Sequence, residues 1–349
     1  MTDDRPFDAA QGRRPTTDSA GKEIRRQGEQ VTPSLPASVS PGLSVSQVDD
    51  TPLVSLIVVT YNSAPLLPDF FAALATTNYA PYEVLVVDNA SQDGTPQVIT
   101  ADYPTARLIA NRENLGFGRA CNQGAHVARG ELLVFLNPDV FVTPGWLAIL
   151  VRRVAAHPDA AIICPTTLYP NQPAPIATAA VEESAAVPGC AMLMPRAIWQ
   201  ELGGFDEQIF LYWEDTELCW RAWLLGRRVL ADLEALVYHK RGGSGGGGQR
   251  WDAEQIKNGL YTHLKLMRWR RTIPFAALLA GKTLTKLVLR RQPGLLAAWR
   301  WNWRHLGQTL AARRKLLRAR RGDPAALERR IAAHERRQRS ERAARWRSA

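Results

Sequence analysis

The sequence contains little cysteine. Its four cysteines are far apart and none forms a Cys-x-x-Cys pair; they are Cys121, Cys164, Cys190 and Cys219. Neither a disulfide framework nor a cysteine-based zinc site is therefore expected. Buried, reduced thiols are the expectation, and they fit a cytosolic protein.

Long apolar runs are also absent. The N-terminal residues lack the apolar core of a secretory signal peptide. No window of about 18 uninterrupted apolar residues occurs, so the sequence predicts no membrane-spanning helix. The composition, 46% hydrophobic and 22% charged over 349 residues, is that of a globular chain with one sizeable core and appendages.

Excess positive charge is confined to one end of the chain. The net charge is +11, and residues 301–349 contain fifteen Arg or Lys against four Asp or Glu. The preceding 300 residues are therefore balanced in charge. A concentrated basic region favours an anionic partner for the C-terminal part of the chain.

Apolar, β-branched runs predict a parallel sheet. The predicted strands are Ser55–Tyr61, Glu83–Asp88, Arg107–Ala110 and Leu132–Leu136. Helical patterns separate them, and the first helix is expected to be capped by Asn62 and Ser63. Strands that alternate with helices at this spacing predict βαβ units and an α/β fold with a mostly parallel sheet.

Polar residues follow three of these strands. Because the carboxyl ends of parallel strands share one edge, we expect Thr60, Asp88 and Asp139 to face a common cleft. Asp139 ends an Asn137-Pro138-Asp139 loop that proline stiffens, and its carboxylate suits a divalent cation carrying phosphates. The tripeptide is also compatible with a plain turn.

The cleft does not match two common nucleotide sites. Gly116-Phe117-Gly118 lacks the third glycine of the dinucleotide fingerprint and follows the third strand rather than the first. A Walker lysine motif is absent. We therefore expect a nucleotide held through its base, a metal and a few backbone contacts.

A second chemical centre lies in the run from Phe210 to Leu225. Glu214 and Asp215 fall where a helix should begin. The helix dipole alone favours carboxylates in a first turn. The alternative is a general base beside Tyr212 and Trp213, where partial burial raises its pKa.

The segments between the two centres are less regular. We expect a helix over Trp146–Ala156, a Pro- and Ala-rich excursion over Cys164–Pro188, a strand over Gly189–Met194 and a turn-rich loop at 202–207. A last strand, Leu230–Tyr238, is followed by His239, for which a structural role is the ordinary interpretation. The Gly/Ser run at 242–248 predicts a mobile loop.

The chain is expected to divide into four parts. Residues 1–50 predict a disordered leader, 51–250 the α/β domain, 251–317 basic amphipathic helices and 318–349 an Arg-rich tail that forms a frayed helix or is disordered. The helices are predicted over 255–269, 275–289 and 295–317. Tryptophans among arginines there favour an anionic membrane surface, and packing on the α/β domain is the alternative.

Seven segments, taken in order, resemble a known family. They are Val59–Asn62, Val86–Thr95, Asn114–Gly118, Asn137–Asp139, Gly203–Glu207, Trp213–Arg221 and His239–Ser244. Over roughly residues 53–250 the chain resembles glycosyltransferase family two, the inverting enzymes of GT-A fold, and within it the bacterial rhamnosyltransferase-like group.

The resemblance implies roles for individual residues. Asp215 would be the catalytic base and Glu214 its acidic neighbour. Asn137-Pro138-Asp139 stands where the family has its metal-binding Asp-x-Asp, so Asp139, with His239 near the diphosphate or metal, would hold Mg²⁺ or Mn²⁺. The implied nucleotide-sugar pocket consists of Thr60, Tyr61, Asn62, Asp88, Asn114, Gly116 and Asn137.

The implied activity is metal-dependent, inverting transfer of a sugar, with rhamnose as a candidate, from a nucleotide-diphosphate sugar. The acceptor would be a hydroxyl of a lipid-linked or cell-surface glycan. The expected location is cytoplasmic, peripheral on the inner face of the cell membrane. Two alternatives stay open: a sugar nucleotidyltransferase, and a non-enzymatic basic adaptor for membrane or nucleic acid. The adaptor leaves the acidic cleft unexplained, and no nucleic-acid partner is expected.

Overall fold

The computed structural model describes residues 51–169, 172, 179–240, 249–290 and 292–347. The predictions for the leader at 1–50 and for the Gly/Ser run at 242–248 lie outside the described residues, as does part of the Pro- and Ala-rich excursion.

Strands and helices alternate through the first half of the described chain. The strands are β1 (Val54–Thr60), β2 (Tyr82–Asp88), β3 (Arg107–Ala110), β4 (Leu132–Leu136), β5 (Val140–Val142), β6 (Ala160–Leu168), β7 (Val181–Glu183), β8 (Ala191–Pro195) and β9 (Arg228–His239). The helices are α1 (Leu67–Ala75), α2 (Thr95–Asp102), α3 (Phe117–Val127), α4 (Trp146–Ala156), α5 (Arg196–Leu202), α6 (Glu214–Leu224), α7 (Gln249–Leu266), α8 (Trp269–Arg290), α9 (Leu295–Arg304), α10 (Leu306–Ala319) and α11 (Pro324–Arg347).

One mixed sheet organises the described residues. Its strand order is β3-β2-β1-β4-β8-β6-β9-β5, with β7 paired to β9. The first four strands in this order are parallel, and β8 runs antiparallel to β4 and β6. The predicted α/β fold with a mostly parallel sheet is confirmed.

The sheet is buried on both faces. Along β1, Ile57 and Val59 enter one apolar cluster, whereas Leu56 and Val58 enter the other. Successive side chains of a strand point to opposite faces, so a strand covered on both sides needs an unbroken apolar run. This explains why β1 and β4 could be recognised as strands from their unbroken apolar runs in the sequence.

The chain after β1 differs from the prediction of a helix capped by Asn62 and Ser63. A short 3-10 helix over Ala64–Leu66 precedes α1, and Ser63 makes no side-chain cap. The Ser63 hydroxyl instead accepts a hydrogen bond from the Tyr61 amide. Asp93, from the loop after β2, accepts one from the Ala64 amide. The cap is therefore supplied by a neighbouring loop, which a local pattern cannot reveal.

The expected Pro- and Ala-rich excursion is partly wrong. Ala160–Leu168 is strand β6, which pairs with both β8 and β9. Pro165 lacks the amide needed in a regular ladder. The register between β6 and β9 shifts between Pro165 and Thr166, and this irregularity lets the strand accommodate the proline.

The C-terminal helices pack on the sheet domain. His305 separates α9 from α10, where one helix over 295–317 was expected. The tail, for which a frayed helix or disorder was expected, contains helix α11, and its Leu327 and Ile331 are buried in the same cluster as Leu85 of β2. Two apolar residues one turn apart are an inconspicuous signal among so many arginines.

Helix α8 meets a looser criterion for a membrane span than the one applied to the sequence. Trp269–Leu289 is long enough and, with a mean hydropathy of 1.3, apolar enough to cross a membrane. Isolated charged residues interrupt the apolar run, so the stricter sequence criterion missed it. Length and composition do not by themselves place a helix in a membrane.

A buried ionic network joins α7 to α6. Lys265 Nζ lies 2.5 Å from Asp206 Oδ2 and 2.7 Å from Glu217 Oε1. Glu217 is fully buried and also pairs with Arg221. Burial raises the pKa of Asp206, but Lys265 and the hydrogen bonds outweigh it, so the net pKa is lowered. The network therefore depends on the Lys265 cation.

We expect Lys265→Met to lower the free energy of unfolding by about 3 kcal/mol, because Asp206 loses its ion-pair partner and Glu217 keeps only Arg221. Urea titration measures the loss. Lys315→Met, at an exposed position of α10, is the matched control and should change stability by less than about 0.5 kcal/mol. Equal, small losses in both variants would show that the network does not stabilise the fold.

Candidate active site

The carboxyl ends of β1 and β2 are joined through Asp88. Thr60 and Asp88 are register partners, and the Thr60 hydroxyl donates to Asp88 Oδ1 at 2.9 Å. The Ser91 hydroxyl and amide donate to the same carboxylate at 2.5 and 2.9 Å. The predicted proximity of Thr60 and Asp88 is confirmed, and the carboxylate orders both loops.

Tyr61 and Asn62 form the rim of this edge. Asn62 has a φ of 51°, a conformation that asparagine tolerates better than most residues. Its amide donates to the Ser91 hydroxyl, and its side-chain oxygen accepts from the Gln92 amide. Tyr61 is 41% exposed, so its ring is available to a ligand at the mouth of the cleft.

The loop before α3 connects this edge to the second centre. Gly116 has a φ of +85°, and a Cβ there would lie 2.2 Å from the Phe210 carbonyl oxygen. Asn114 accepts a hydrogen bond from the Gly116 amide, and Asn89 donates one to the Gly116 carbonyl. Only glycine fits where the backbone of this loop approaches the Phe210 carbonyl so closely. Asn89 was missed in the sequence, although it directly follows Asp88.

Asp139 and His239 meet at the next loop. β5 pairs with β9 so that Val140 lies opposite His239. His239 Nε2 is 3.1 Å from Asp139 Oδ1, and Asp139 is only 3% exposed. The strand pairing thus brings together two residues that are 100 positions apart.

The segment before α6 adopts an unusual backbone. Tyr212 and Trp213 have φ values of 65° and 77°, and left-handed backbone costs non-glycine residues roughly 1–3 kcal/mol each. The turn ends at Glu214, the first residue of α6. It places Glu214 and Asp215 in the first helical turn, as predicted.

Asp139 and Asp215 converge on the Gly189–Cys190 segment. The Gly189 amide donates to Asp215 Oδ2 at 3.1 Å, and the Asn137 amide donates to the Cys190 carbonyl at 3.0 Å. Burial raises the pKa of the Cys190 thiol to about 12, and both aspartates add to this effect. Both carboxylates therefore lie within electrostatic range of the Cys190 thiol.

Burial separates the acidities of Glu214 and Asp215. Burial and the neighbouring Asp215 carboxylate raise the pKa of Glu214 to about 8. Within the described chain, Oε2 of Glu214 has no hydrogen-bond partner. Burial also raises the pKa of Asp215, but hydrogen bonds from Thr216 and Gly189 oppose that rise. Glu214 is therefore the member of the pair that holds a proton near neutral pH.

Helix α7 holds the strained turn from behind. Asn258 Nδ2 donates to the Leu211 and Tyr212 carbonyls at 2.9 and 3.1 Å. The Trp213 indole donates to Gln255 Oε1 at 2.9 Å. Asn258 is fully buried. We call Asn258 and Gln255 the α7 clamp. The sequence indicated only an amphipathic helix here and gave no signal for these contacts.

A match to a family model shows which protein family the chain belongs to. The profile of Glycosyl transferase family 2 matches residues 55–234. That range contains nearly every site residue described above, and the chain belongs to this family. It is a glycosyltransferase that uses a nucleotide sugar, so the family excludes the adaptor and nucleotidyltransferase interpretations.

Two curated relatives are similar over different lengths. The N-acetylglucosaminyl-diphospho-decaprenol L-rhamnosyltransferase of Mycobacterium tuberculosis is 29% identical over 214 residues, which cover 48% of this chain and 69% of that protein. The O-antigen biosynthesis protein RfbC of Myxococcus xanthus is 27% identical over 255 residues, covering 64% of this chain and 20% of that protein.

Solved structures share the fold. The S. aureus TarS 1-349 complex with UDP-GlcNAc gives a TM-score of 0.52 at 17% identity, covering 74% of this chain and 81% of that one. The Pyrobaculum calidifontis mannosyltransferase PcManGT, with GDP-Man and Mn²⁺, gives 0.50 at 20% identity, covering 80% and 86%. These similarities confirm the GT-A architecture.

The raised pKa of Glu214 predicts a pH-dependent stability. Between about pH 4.5 and pH 8 the folded state holds a proton that the unfolded state releases, so the wild type loses stability as pH rises through this range. Glu214→Gln removes this loss. The stability of the variant relative to wild type should rise by about 2–4 kcal/mol from pH 5 to pH 8 and then level off.

Urea titrations at a series of pH values, without nucleotide and with a chelator, measure this difference. A difference that stays constant from pH 5 to pH 9 would show that Glu214 is ionised throughout, and the division of acidity between the two carboxylates would then be wrong.

Proposed function

We propose that this glycosyltransferase is metal-dependent and inverting, and that it transfers a sugar to a hydroxyl of a lipid-linked glycan. The convergence of Asp139 and Asp215 on the Gly189–Cys190 segment carries this proposal. One carboxylate lies at the sheet edge where α/β folds bind ligands. The other lies in the first turn of α6 and accepts a hydrogen bond from the Gly189 amide.

The donor nucleotide binds at the edge formed by β1, β2 and the loop before α3. The residues in contact with it are Thr60, Tyr61, Asn62, Asp88, Asn114, Gly116 and Asn137. Asp88 already accepts hydrogen bonds from Thr60 and Ser91, so it contributes by ordering the pocket as well as by polarity. Gly116 lets the backbone approach closely without a side chain.

Asp139 and His239 would hold Mg²⁺ or Mn²⁺. Among the described residues no group of three or more His, Cys, Asp or Glu could hold a metal. The pair supplies one carboxylate and one imidazole, and Asp139 Oδ1 lies 3.1 Å from His239 Nε2. Diphosphate oxygens and water would complete the coordination shell. The donor set fits. A bound divalent cation supplies charge stabilisation for the diphosphate leaving group.

Asp215 is the general base. Hydrogen bonds from Gly189 and Thr216 fix its carboxylate. Because Glu214 keeps its proton, Asp215 carries the negative charge of the pair. It takes the proton of the acceptor hydroxyl as the oxygen attacks the anomeric carbon opposite the diphosphate. Attack from that face inverts the configuration, and base assistance is worth about 10²–10⁴ in rate.

The rhamnosyltransferase of M. tuberculosis supports a proposal for the substrates. Its name specifies an L-rhamnosyl group and a diphospho-decaprenol acceptor. We infer rhamnose as the transferred sugar here and a polyprenyl-diphosphate saccharide as the acceptor. The enzyme would then act as a peripheral protein on the cytoplasmic face of the cell membrane.

Asp215→Asn should lower kcat by about 10²–10⁴ while donor affinity changes little, because the amide keeps the size of the carboxylate but cannot take a proton. Transfer to a synthetic acceptor and calorimetric binding of the donor measure the two effects. Asp69→Asn, an exposed carboxylate in the first turn of α1, is the control and should retain full turnover. Near-normal turnover of the Asp215 variant would remove this residue from the role of base.

Asp139→Asn should abolish the metal-dependent part of nucleotide binding. In the wild type, a matching nucleoside diphosphate with Mn²⁺ at a hundred times its Kd should stabilise the fold by about 2.7 kcal/mol. Thermal unfolding with UDP, GDP and dTDP, each with Mn²⁺ or a chelator, measures this. Equal metal-dependent shifts in wild type and variant would place the cation elsewhere.

A further inference from the structure

The outer surface of α8 is apolar and uncovered. Its large apolar side chains are 55–76% exposed; they are Ile273, Leu278, Leu284, Val288 and Leu289. We call these five residues the α8 outer face. Large apolar patches on a protein surface mark interaction sites. The buried, family-defining cleft accounts for none of these residues.

The opposite side of α8 is firmly attached. Leu279 is buried with Ile256 and Leu260 of α7. The Trp299 indole of α9 donates to the Thr283 hydroxyl at 3.1 Å, and Lys286 forms an ion pair with Asp252 of α7. A helix that crossed a membrane would have to abandon these contacts. This attachment favours a helix lying along a surface.

Helix α9, which packs on α8, exposes apolar and cationic side chains. On α9, Leu296 and Trp303 are 55% and 78% exposed, and Arg300 and Arg304 are exposed beside them. The whole positive excess of the chain lies in residues 301–349. Apolar side chains flanked by arginine and tryptophan match the boundary between anionic headgroups and acyl chains. A second copy of the chain would instead bring like charges together.

The same helix touches the catalytic segment. Phe275, on the attached side of α8, lies 5.9 Å from the Trp213 ring, centroid to centroid. Trp213 immediately precedes Glu214. A helix is about 10 Å across, so the outer face lies roughly one helix diameter from the turn that leads to the base. A surface that binds this face would therefore sit near the turn that precedes Glu214.

We propose that the α8 outer face, with Leu296 and Trp303, binds the surface of an anionic lipid bilayer with α8 lying in the plane of the interface. The binding combines apolar insertion with attraction of the arginines to the headgroups. This inference goes beyond the transfer reaction, since it assigns a partner to a surface outside the cleft.

Flotation with lipid vesicles tests the proposal. The full chain is mixed with phosphatidylcholine vesicles that contain about 30 mol % phosphatidylglycerol, and in parallel with pure phosphatidylcholine vesicles. The double variant Leu284→Ser with Val288→Ser removes apolar area and leaves the charge unchanged. Leu317→Ser, at a 43% exposed leucine of α10, is the matched control.

The wild type and the Leu317 variant should float with the anionic vesicles, and the double variant should bind about tenfold more weakly. Raised salt should weaken wild-type binding, since surface charge interactions are screened. Absence of wild-type binding at low salt overturns the proposal. Unchanged binding of the double variant also overturns it, because the basic tail alone would then suffice.

A label at the face gives a second measurement. The native cysteines are buried, so Leu284→Cys can be labelled selectively with a polarity-sensitive dye, and its emission should shift to the blue on anionic vesicles. A Leu317→Cys label should not shift. Resistance of the bound wild type to alkaline carbonate would mean a spanning helix and overturn the interfacial arrangement. A dimer that disperses in the double variant would assign the face to a second copy.

The nucleotide-dependent thermal shift, measured on the same proteins without vesicles, separates this proposal from the proposed function. A normal shift in the double variant shows that its fold and donor site are intact. If the shift is present and flotation is absent in the wild type, only the membrane proposal fails. If flotation is present and the wild type shows no shift with any nucleotide, only the proposed donor site fails.

Discussion

The candidate active site depends on a strained backbone turn at Tyr212 and Trp213 that is stabilised by contacts from another helix. Tyr212 and Trp213 both adopt left-handed conformations, and two such residues in sequence are costly without outside support. The α7 clamp supplies that support through hydrogen bonds to the Leu211 and Tyr212 carbonyls and to the Trp213 indole. Because this turn starts α6, the same contacts decide where Glu214 and Asp215 lie. A helix outside the matched family region thus positions the two carboxylates of the proposed catalytic pair.

Placing two carboxylates side by side in a buried site has a chemical consequence. Two carboxylates that lie close together in a region of low dielectric do not both ionise easily, so their pKa values differ. Asp215 has backbone and hydroxyl donors around it, whereas Oε2 of Glu214 has none within the described chain. The hydrogen bonds therefore determine which of the two residues carries the negative charge. Asp215 becomes the stronger candidate for a base through its partners, not through its residue type.

Much of the sheet was predictable because its strands are buried on both faces and read as unbroken apolar runs. Their carboxyl ends gave Thr60, Asp88 and Asp139, and the family motifs gave Asp215 and His239. What the sequence could not give were contacts across distant segments. Asn258 and Gln255 lie on a helix whose pattern indicates only amphipathicity, and the Gly189 amide contacts Asp215 across 26 positions of sequence. Ser63 failed as a cap because Asp93, some thirty residues on, took that place.

The C-terminal helices link the turn before α6 to the α8 outer face. α7 contacts the catalytic turn through Asn258, and α8 contacts Trp213 through Phe275. The α8 outer face points away from both. A bilayer-bound enzyme gains most when a diphosphate-lipid acceptor reaches the base without leaving its membrane, since both partners then diffuse in one plane and the local acceptor concentration is high. Rigid attachment of α8 to α7 keeps the depth of the cleft relative to the bilayer fixed, which a flexible anchor would not do.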